Sequence, residues 1–249
     1  MLYKGVIDVK KILTYIVITI MLILFGVQSI QNYRIYFKIK EFQSPDYSLI
    51  KKATVEIKIG KSGGSGVIIE NNKDKKHLYI LTAKHIVLEK GKIIILIHDK
   101  NNKRYFIKNI SRDNVFKHKK LDLALIKVIA PKGDFEKLKL KNQNPEIGKI
   151  VYTIGHPVNM HYTLNRGIVS NYTHKKFLGI EGEYLLISAP SFNGNSGGAV
   201  INYENKLIGI VVGIVYVPIN KSGSQRIFLP HMTFAVKISD IKDFIEEVK

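Results

Sequence analysis

Two hydrophobic patterns divide the chain. From Ile12 to Tyr33 no residue is charged, and Ile12 to Val27 is almost wholly apolar. Crossing the hydrocarbon core of a bilayer takes about 20 such residues, so residues 12–33 are expected to form a single transmembrane anchor between Lys10-Lys11 and Arg34. A cleaved signal peptide is the competing reading, with Val27 and Ser29 as the small-residue site. Lys4, Lys10 and Lys11 precede the span and Arg34, Lys38 and Lys40 follow it, so charge does not orient it. Residues 1–11 are then a flank, and residues 34–52, with five basic residues, two acids and Pro45, a juxtamembrane linker.

From Ala53 onward the apolar residues come in short β-rich runs separated by Gly, Asn, Asp and Lys. Twelve runs fall near 53–59, 66–70, 77–83, 92–98, 103–110, 122–128, 150–155, 164–170, 184–188, 199–203, 207–215 and 231–237. Short strands without helices between them predict an all-β domain, barrel or sandwich, rather than a wound α/β sheet. The longest break, 131–149, holds Pro131, Gly133, Pro145 and Gly148 and divides the runs six and six. Near the end, Ser239 can cap a helix in which Ile241, Phe244, Ile245 and Val248 share one face.

Candidate chemistry centres on Asn193-Gly194-Asn195-Ser196-Gly197-Gly198. Glycines flanking a serine let a carbonyl approach both the hydroxyl and the backbone N–H groups. A serine needs a base, and the base an orienting group. His85 closes the run His77-Leu78-Tyr79-Ile80-Leu81-Thr82-Ala83-Lys84, and Asp122 is an acid set into the apolar Leu121-Asp122-Leu123-Ala124-Leu125. A buried carboxylate requires a partner, which His85 would supply. Alone, the serine and the histidine each have a plainer reading, as a turn and as a surface or satisfied core imidazole. The pattern Gly194-Asn195-Ser196-Gly197-Gly198 also fits the nucleophile elbow of α/β hydrolases, but the required order of serine, acid and histidine is absent. Gly60-Lys61-Ser62 lacks the first glycine of a phosphate loop, since Val55 stands there.

The order His85, Asp122, Ser196 is that of chymotrypsin-like enzymes. Gly64-Ser65-Gly66-Val67-Ile68-Ile69, Leu81-Thr82-Ala83-Lys84-His85, Asp122-Leu123-Ala124-Leu125, Ile154-Gly155-His156-Pro157, Arg166-Gly167-Ile168-Val169-Ser170, the Ser196 segment and Phe234-Ala235-Val236 together resemble trypsin-like serine peptidases of the Deg/HtrA type. That resemblance implies a peptidase domain over residues 53–249, built as two six-stranded antiparallel β-barrels, about 53–130 and about 150–249, with a C-terminal helix. It implies Ser196 as nucleophile, His85 as base and Asp122 as its orienting acid, with the N–H groups of Gly194 and Ser196 as oxyanion hole. Pro190, Ser191 and Phe192 on one side, and Ile210 and Val211 on the other, are the expected walls of the substrate pocket. Neither segment carries an acid, so small or medium apolar residues are expected before the scissile bond. The resemblance places the catalytic domain outside the cytoplasm. It requires no metal or cofactor. No PDZ module is expected after the domain. The reading is a membrane-anchored serine endopeptidase acting on polypeptides; the alternative is a catalytically silent domain of the same fold serving as a tethered binding module.

Composition adds little beyond exclusions. Apolar residues make up 45% of the chain, too many for a disordered protein, and the lack of cysteine excludes disulfides and thiolate chemistry. The net charge of +19 raises the question of nucleic acid. The lysines are scattered through turns such as Asn72-Lys73-Asp74-Lys75-Lys76, without aromatic stacking runs, so no nucleic-acid partner is expected. Beside an anchor, anionic lipid headgroups are the simpler counterpart.

Overall fold

The computed structural model of the chain describes residues 9–41, 44–71, 74–177, 180–220 and 226–248. Residues 1–8 of the expected flank lie outside that set. Helix α1 runs Val9–Glu41. Within it Tyr15–Tyr36, 22 residues with mean hydropathy 1.6, is long and apolar enough to cross a membrane, the one such helix among the described residues. It belongs to a compact unit of residues 1–43, and all other elements belong to a second, Ser44–Lys249.

The second unit begins inside the stretch expected as linker. Helix α2, Tyr47–Ala53, starts where the Asp46 carboxylate accepts the N–H of Leu49, a side-chain N-cap. It buries Ile50 and Ala53 completely. That buried pair explains why the linker reading ends early: these residues serve the β unit's core.

Strands β1 (Thr54–Ile59), β2 (Ser62–Ile69), β3 (His77–Thr82), β4 (Ile93–His98), β5 (Arg104–Ile107), β6 (Val115–Lys117) and β7 (Ala124–Ile129) form one antiparallel sheet in the order β5-β4-β1-β2-β3-β7-β6. Between β3 and β4 lies a short helix, α3 (Lys84–Leu88). Strands β8 (Ile150–Gly155), β9 (Thr163–Phe177), β10 (Ile180–Ile187), β11 (Ala199–Ile201), β12 (Leu207–Pro218) and β13 (Arg226–Lys237) close into a six-stranded barrel, followed by α4 (Ile238–Val248). The all-β architecture in two halves with a terminal helix is as expected. The first half differs in detail: it has seven strands and is a curved sheet, not a closed six-stranded barrel. The extra strand is β6, three residues of which only Val115 is buried, too short to leave a pattern in the sequence.

Alternation explains the cores. Val55, Ile57 and Ile59 on β1 and Ile93, Ile95 and Ile97 on β4 point to one side and are essentially inaccessible. Each such side chain removed from water contributes about 1.5–3 kcal/mol, and Ile57→Ala would cost about 2–5 kcal/mol with its cavity. On α4 the expected face holds: Ile241, Phe244 and Ile245 are buried.

The registers decide what meets at the end of the sheets. Thr82 pairs with Ala124, so the residues just after β3 and just before β7 lie at one end. Val67 pairs with Leu81, which brings Ser65 to the same end. In the barrel Ala199 pairs with Ile154, placing the residues before β11 beside those after β8.

Candidate active site

That end holds His85 and Asp122. Asp122 is fully buried, and a carboxylate there is tolerable only with its oxygens engaged. Its Oδ2 lies 2.6 Å from His85 Nδ1, and its Oδ1 accepts the backbone N–H of His85 at 2.8 Å. Holding both the ring and the main chain fixes the imidazole's orientation, and a carboxylate on Nδ1 favours the tautomer protonated there. The His85 side chain stays one-third exposed. The two residues therefore come together as the sequence suggested.

The Asp122 loop is organised by a residue the sequence reading passed over, His118. Its Nδ1 accepts the N–H groups of Lys120 and Leu121 at 3.0 and 2.8 Å. Its own N–H donates to Leu123 O, its carbonyl accepts Lys84 Nζ, and its ring meets Phe244 edge-on at 5.4 Å. Burial, more than any neighbouring charge, pushes this imidazole's pKa below its ordinary value. The neutral ring is the one that can accept both bonds.

The Ser196 loop is held by main-chain bonds. The N–H of Asn195 reaches Phe192 O at 3.0 Å across a turn whose third residue, Gly194, has φ +100°. This is the turn geometry that needs glycine, and a Cβ on Gly194 would overlap the carbonyl of His156. The carbonyl of Asn193 accepts the N–H of Val158 at 2.9 Å. Across a trans peptide this turns the Gly194 N–H to the opposite side. Among the described residues neither that N–H nor the N–H of Ser196 has a protein acceptor. Gly197, at φ +82°, packs where any side chain would strike Ser65 O and Thr82 Oγ1. Its N–H donates to Val211 O, and Val211 N–H donates to Gly198 O.

Ser65 joins the halves. Its N–H donates to Ser196 O at 2.8 Å, its carbonyl accepts Thr82 Oγ1 at 2.7 Å, and its hydroxyl donates to Gly194 O at 2.7 Å while accepting His156 N–H at 2.9 Å. One buried serine thus ties the strand leading to His85, the turn before Ser196 and the His156 segment. The sequence signal was its setting between Gly64 and Gly66, where side chains would collide with Ile86, Ile80 and Val55.

The expected pocket walls divide. Phe192 is exposed and meets Phe228 edge-on at 6.0 Å, and Phe228 tilts against Tyr216 at 6.5 Å, an aromatic surface beside the turn. Pro190 is partly exposed and Ser191 buried. Ile210 and Val211 are placed differently from expectation: both are fully buried, Ile210 in the main core and Val211 in the smaller barrel core. They brace the loop from behind. Gly213 and Val215, further along β12, are the partly exposed positions.

Comparison with known proteins identifies the family and the fold. The family described as "Trypsin-like peptidase domain" matches residues 64–210, more than half of the chain. The chain belongs to that family. A "Serine protease HtrA-like" of Staphylococcus aureus (strain bovine RF122 / ET3-1) is 26% identical over 217 residues, covering 83% of this chain and 25% of the relative. The chain thus spans about a quarter of the length of the curated relatives it matches. Among solved structures, an "HtrA-type protease AlgW with tripeptide" has a TM-score of 0.62 at 22% identity, covering 82% of this chain and 64% of that one. The serine endoprotease from Yersinia pestis has a TM-score of 0.60 at 24% identity, covering 81% and 66%. Those likenesses give the peptidase domain its fold.

Proposed function

We propose that the protein is a serine endopeptidase that cleaves polypeptides through an acyl-enzyme, tethered to a membrane by residues 12–33. Ser196 attacks the carbonyl, His85 takes its proton and returns it to the leaving amine, and Asp122 orients His85 and stabilises the imidazolium. The N–H groups of Gly194 and Ser196 hold the oxyanion, each worth about 3 kcal/mol in the transition state. The observation that carries this reading is the pair of engaged Asp122 oxygens on His85, together with a Ser196 loop whose Asn193 carbonyl is already turned to Val158.

Substrate preference follows from the surface beside the turn. Phe192, Phe228 and the β12 positions Gly213 and Val215 offer no carboxylate, so a lysine or arginine before the scissile bond would lose water without gaining a counter-charge. Small or medium apolar residues fit instead. The catalytic unit is placed outside the cytoplasm, with the anchor's basic flanks against anionic headgroups. The test is peptide hydrolysis by the full chain in detergent micelles. Ser196→Ala is expected to lower kcat/KM by on the order of 10⁴-fold to 10⁶-fold with an unchanged thermal transition. Retained hydrolysis would reject the assignment, and a cleavage profile dominated by lysine and arginine would reject the preference.

A further inference from the structure

The face of β1 opposite Val55, Ile57 and Ile59 carries Glu56, whose side chain is nearly as buried as theirs at 7% exposure. Its Oε1 meets Lys58 Nζ at 3.1 Å. Its Oε2 is buried with no hydrogen-bond partner among the described residues, an arrangement that costs stability unless a cation or donor is supplied. His161 Nδ1 lies 3.7 Å from that oxygen and 3.3 Å from His156 Nδ1. One ligand atom from each of the three residues falls within 4.8 Å of the others. Zinc bound at about 2.0–2.2 Å in a tetrahedron spaces its ligand atoms about 3.3–3.5 Å apart. The 3.3 Å separation falls at that spacing and the 3.7 Å one within a small side-chain rotation of it.

The chemistry of the set is also selective. Two imidazoles and one carboxylate suit zinc and its neighbours, whereas calcium and magnesium favour all-oxygen shells. Tyr162 packs edge-on against His156 at 4.5 Å and bonds His98 Nδ1 at 2.7 Å, which fixes the back of the ring. Lys58 is the competing cation, and with 60% of its side chain exposed it can swing into solvent. A pocket of about 280 Å³ gives access, and its lining includes Glu56, Lys58, His156, Val158, Asn193 and Gly194.

His156 and His161 bracket the tight turn Pro157–Asn159, in which Val158 sits at φ +46° and donates its N–H to Asn193 O. We propose that Glu56, His156 and His161 form a binding site for a divalent transition-metal ion of the zinc class, completed by water, and that a bound ion braces the turn that holds Asn193. The consequence for catalysis rests on the peptidase reading above; the binding itself does not.

The test uses the full chain as Ser196→Ala in detergent micelles, stripped with EDTA, dialysed and titrated calorimetrically with zinc chloride at pH 7.5. Hydrogen exchange of the peptide covering 156–162 is followed in parallel. One zinc per chain is expected, with affinity reduced on the order of 100-fold in both His161→Ala and Glu56→Gln and with slower exchange in that peptide when zinc is bound. His161 is half exposed and Glu56→Gln keeps its volume, so both variants are expected to fold, checked by the zinc-free melting temperature. Three results would overturn the proposal: no stoichiometric binding, unchanged affinity in both variants, or loss of binding in His85→Ala instead. Because no turnover is measured, failure here is separate from failure of the peptidase assignment.

Discussion

The seven-stranded sheet and the closed barrel hold their parts of the site in opposite ways. On the sheet side the side chains do the positioning: Asp122 engages His85 through two oxygens, and His118 gathers the Asp122 loop through one ring nitrogen. On the barrel side the main chain does most of it: Phe192, Asn193, Gly197 and Gly198 are fixed by backbone groups, the Ser65 hydroxyl on Gly194 O is the side-chain exception, and the exposed Asn193 lends only its backbone. The sheet side should therefore be sensitive to polar chemistry, the barrel side to backbone conformation.

After Ser196 itself, the largest expected effect is on the sheet side. Asp122→Asn favours the wrong His85 tautomer and should lower kcat about 10⁴-fold with little change in KM, measured on a peptide substrate. Next, on the barrel side, Gly194→Ala places a Cβ against the His156 carbonyl at a positive φ. A loss of about 10²-fold to 10³-fold in kcat is expected, the scale of one oxyanion donor. Asn193→Ala, one residue away, should stay within about twofold, because only its backbone is used. Equal effects at 193 and 194 would break the comparison.

Acid should weaken the Asp122 loop through His118. His118 has a lowered pKa in the folded state, so the unfolded chain binds its proton more readily. Its stabilisation is complete above the unfolded value of about 6.5 and is lost as pH falls from there towards the lower folded value. Lys84 and Lys120 oppose the charged ring, while Glu247 and Asp240 favour it. The melting temperature should fall between pH 7.5 and 5.5, and His118→Asn should flatten that dependence while lowering the plateau. The smallest effect concerns Asn195, buried beside Gly155. A neutral amide gains little from an inserted ammonium group, so acetylating the N-terminus should leave activity within about twofold. Activity that appears only with a free amine would contradict this.

What the sequence showed of this site follows the same division. Asp122 and His85 were legible because a carboxylate inside an apolar strand demands a partner. Ser196 was legible from its glycines. Ser65, His118 and Val158 act through registers and turns, which bring distant positions together only once Val67 faces Leu81 and Ala199 faces Ile154. The helix α3 was hidden because five residues directly after a β-rich run carry no period of their own. Ile210 and Val211 point to opposite faces of β12 and both are buried, because at that level each face meets a core; distance along the chain does not say that the partly exposed positions begin only at Gly213. Strands β9, β10, β12 and β13 run longer than their apolar runs, with pairing that continues to Phe177↔Ile180 and Pro218↔Arg226, past the exposed Tyr216, Ile227 and Phe228.

The central claim is that Ser196 is a nucleophile activated by His85. A fluorophosphonate probe, followed by intact mass and peptide mapping of the full chain, tests it directly. One adduct per chain is expected, on Ser196, absent in Ser196→Ala and slowed at least ~100-fold in His85→Ala. No adduct on the folded protein, or an adduct whose rate does not depend on His85, would contradict it.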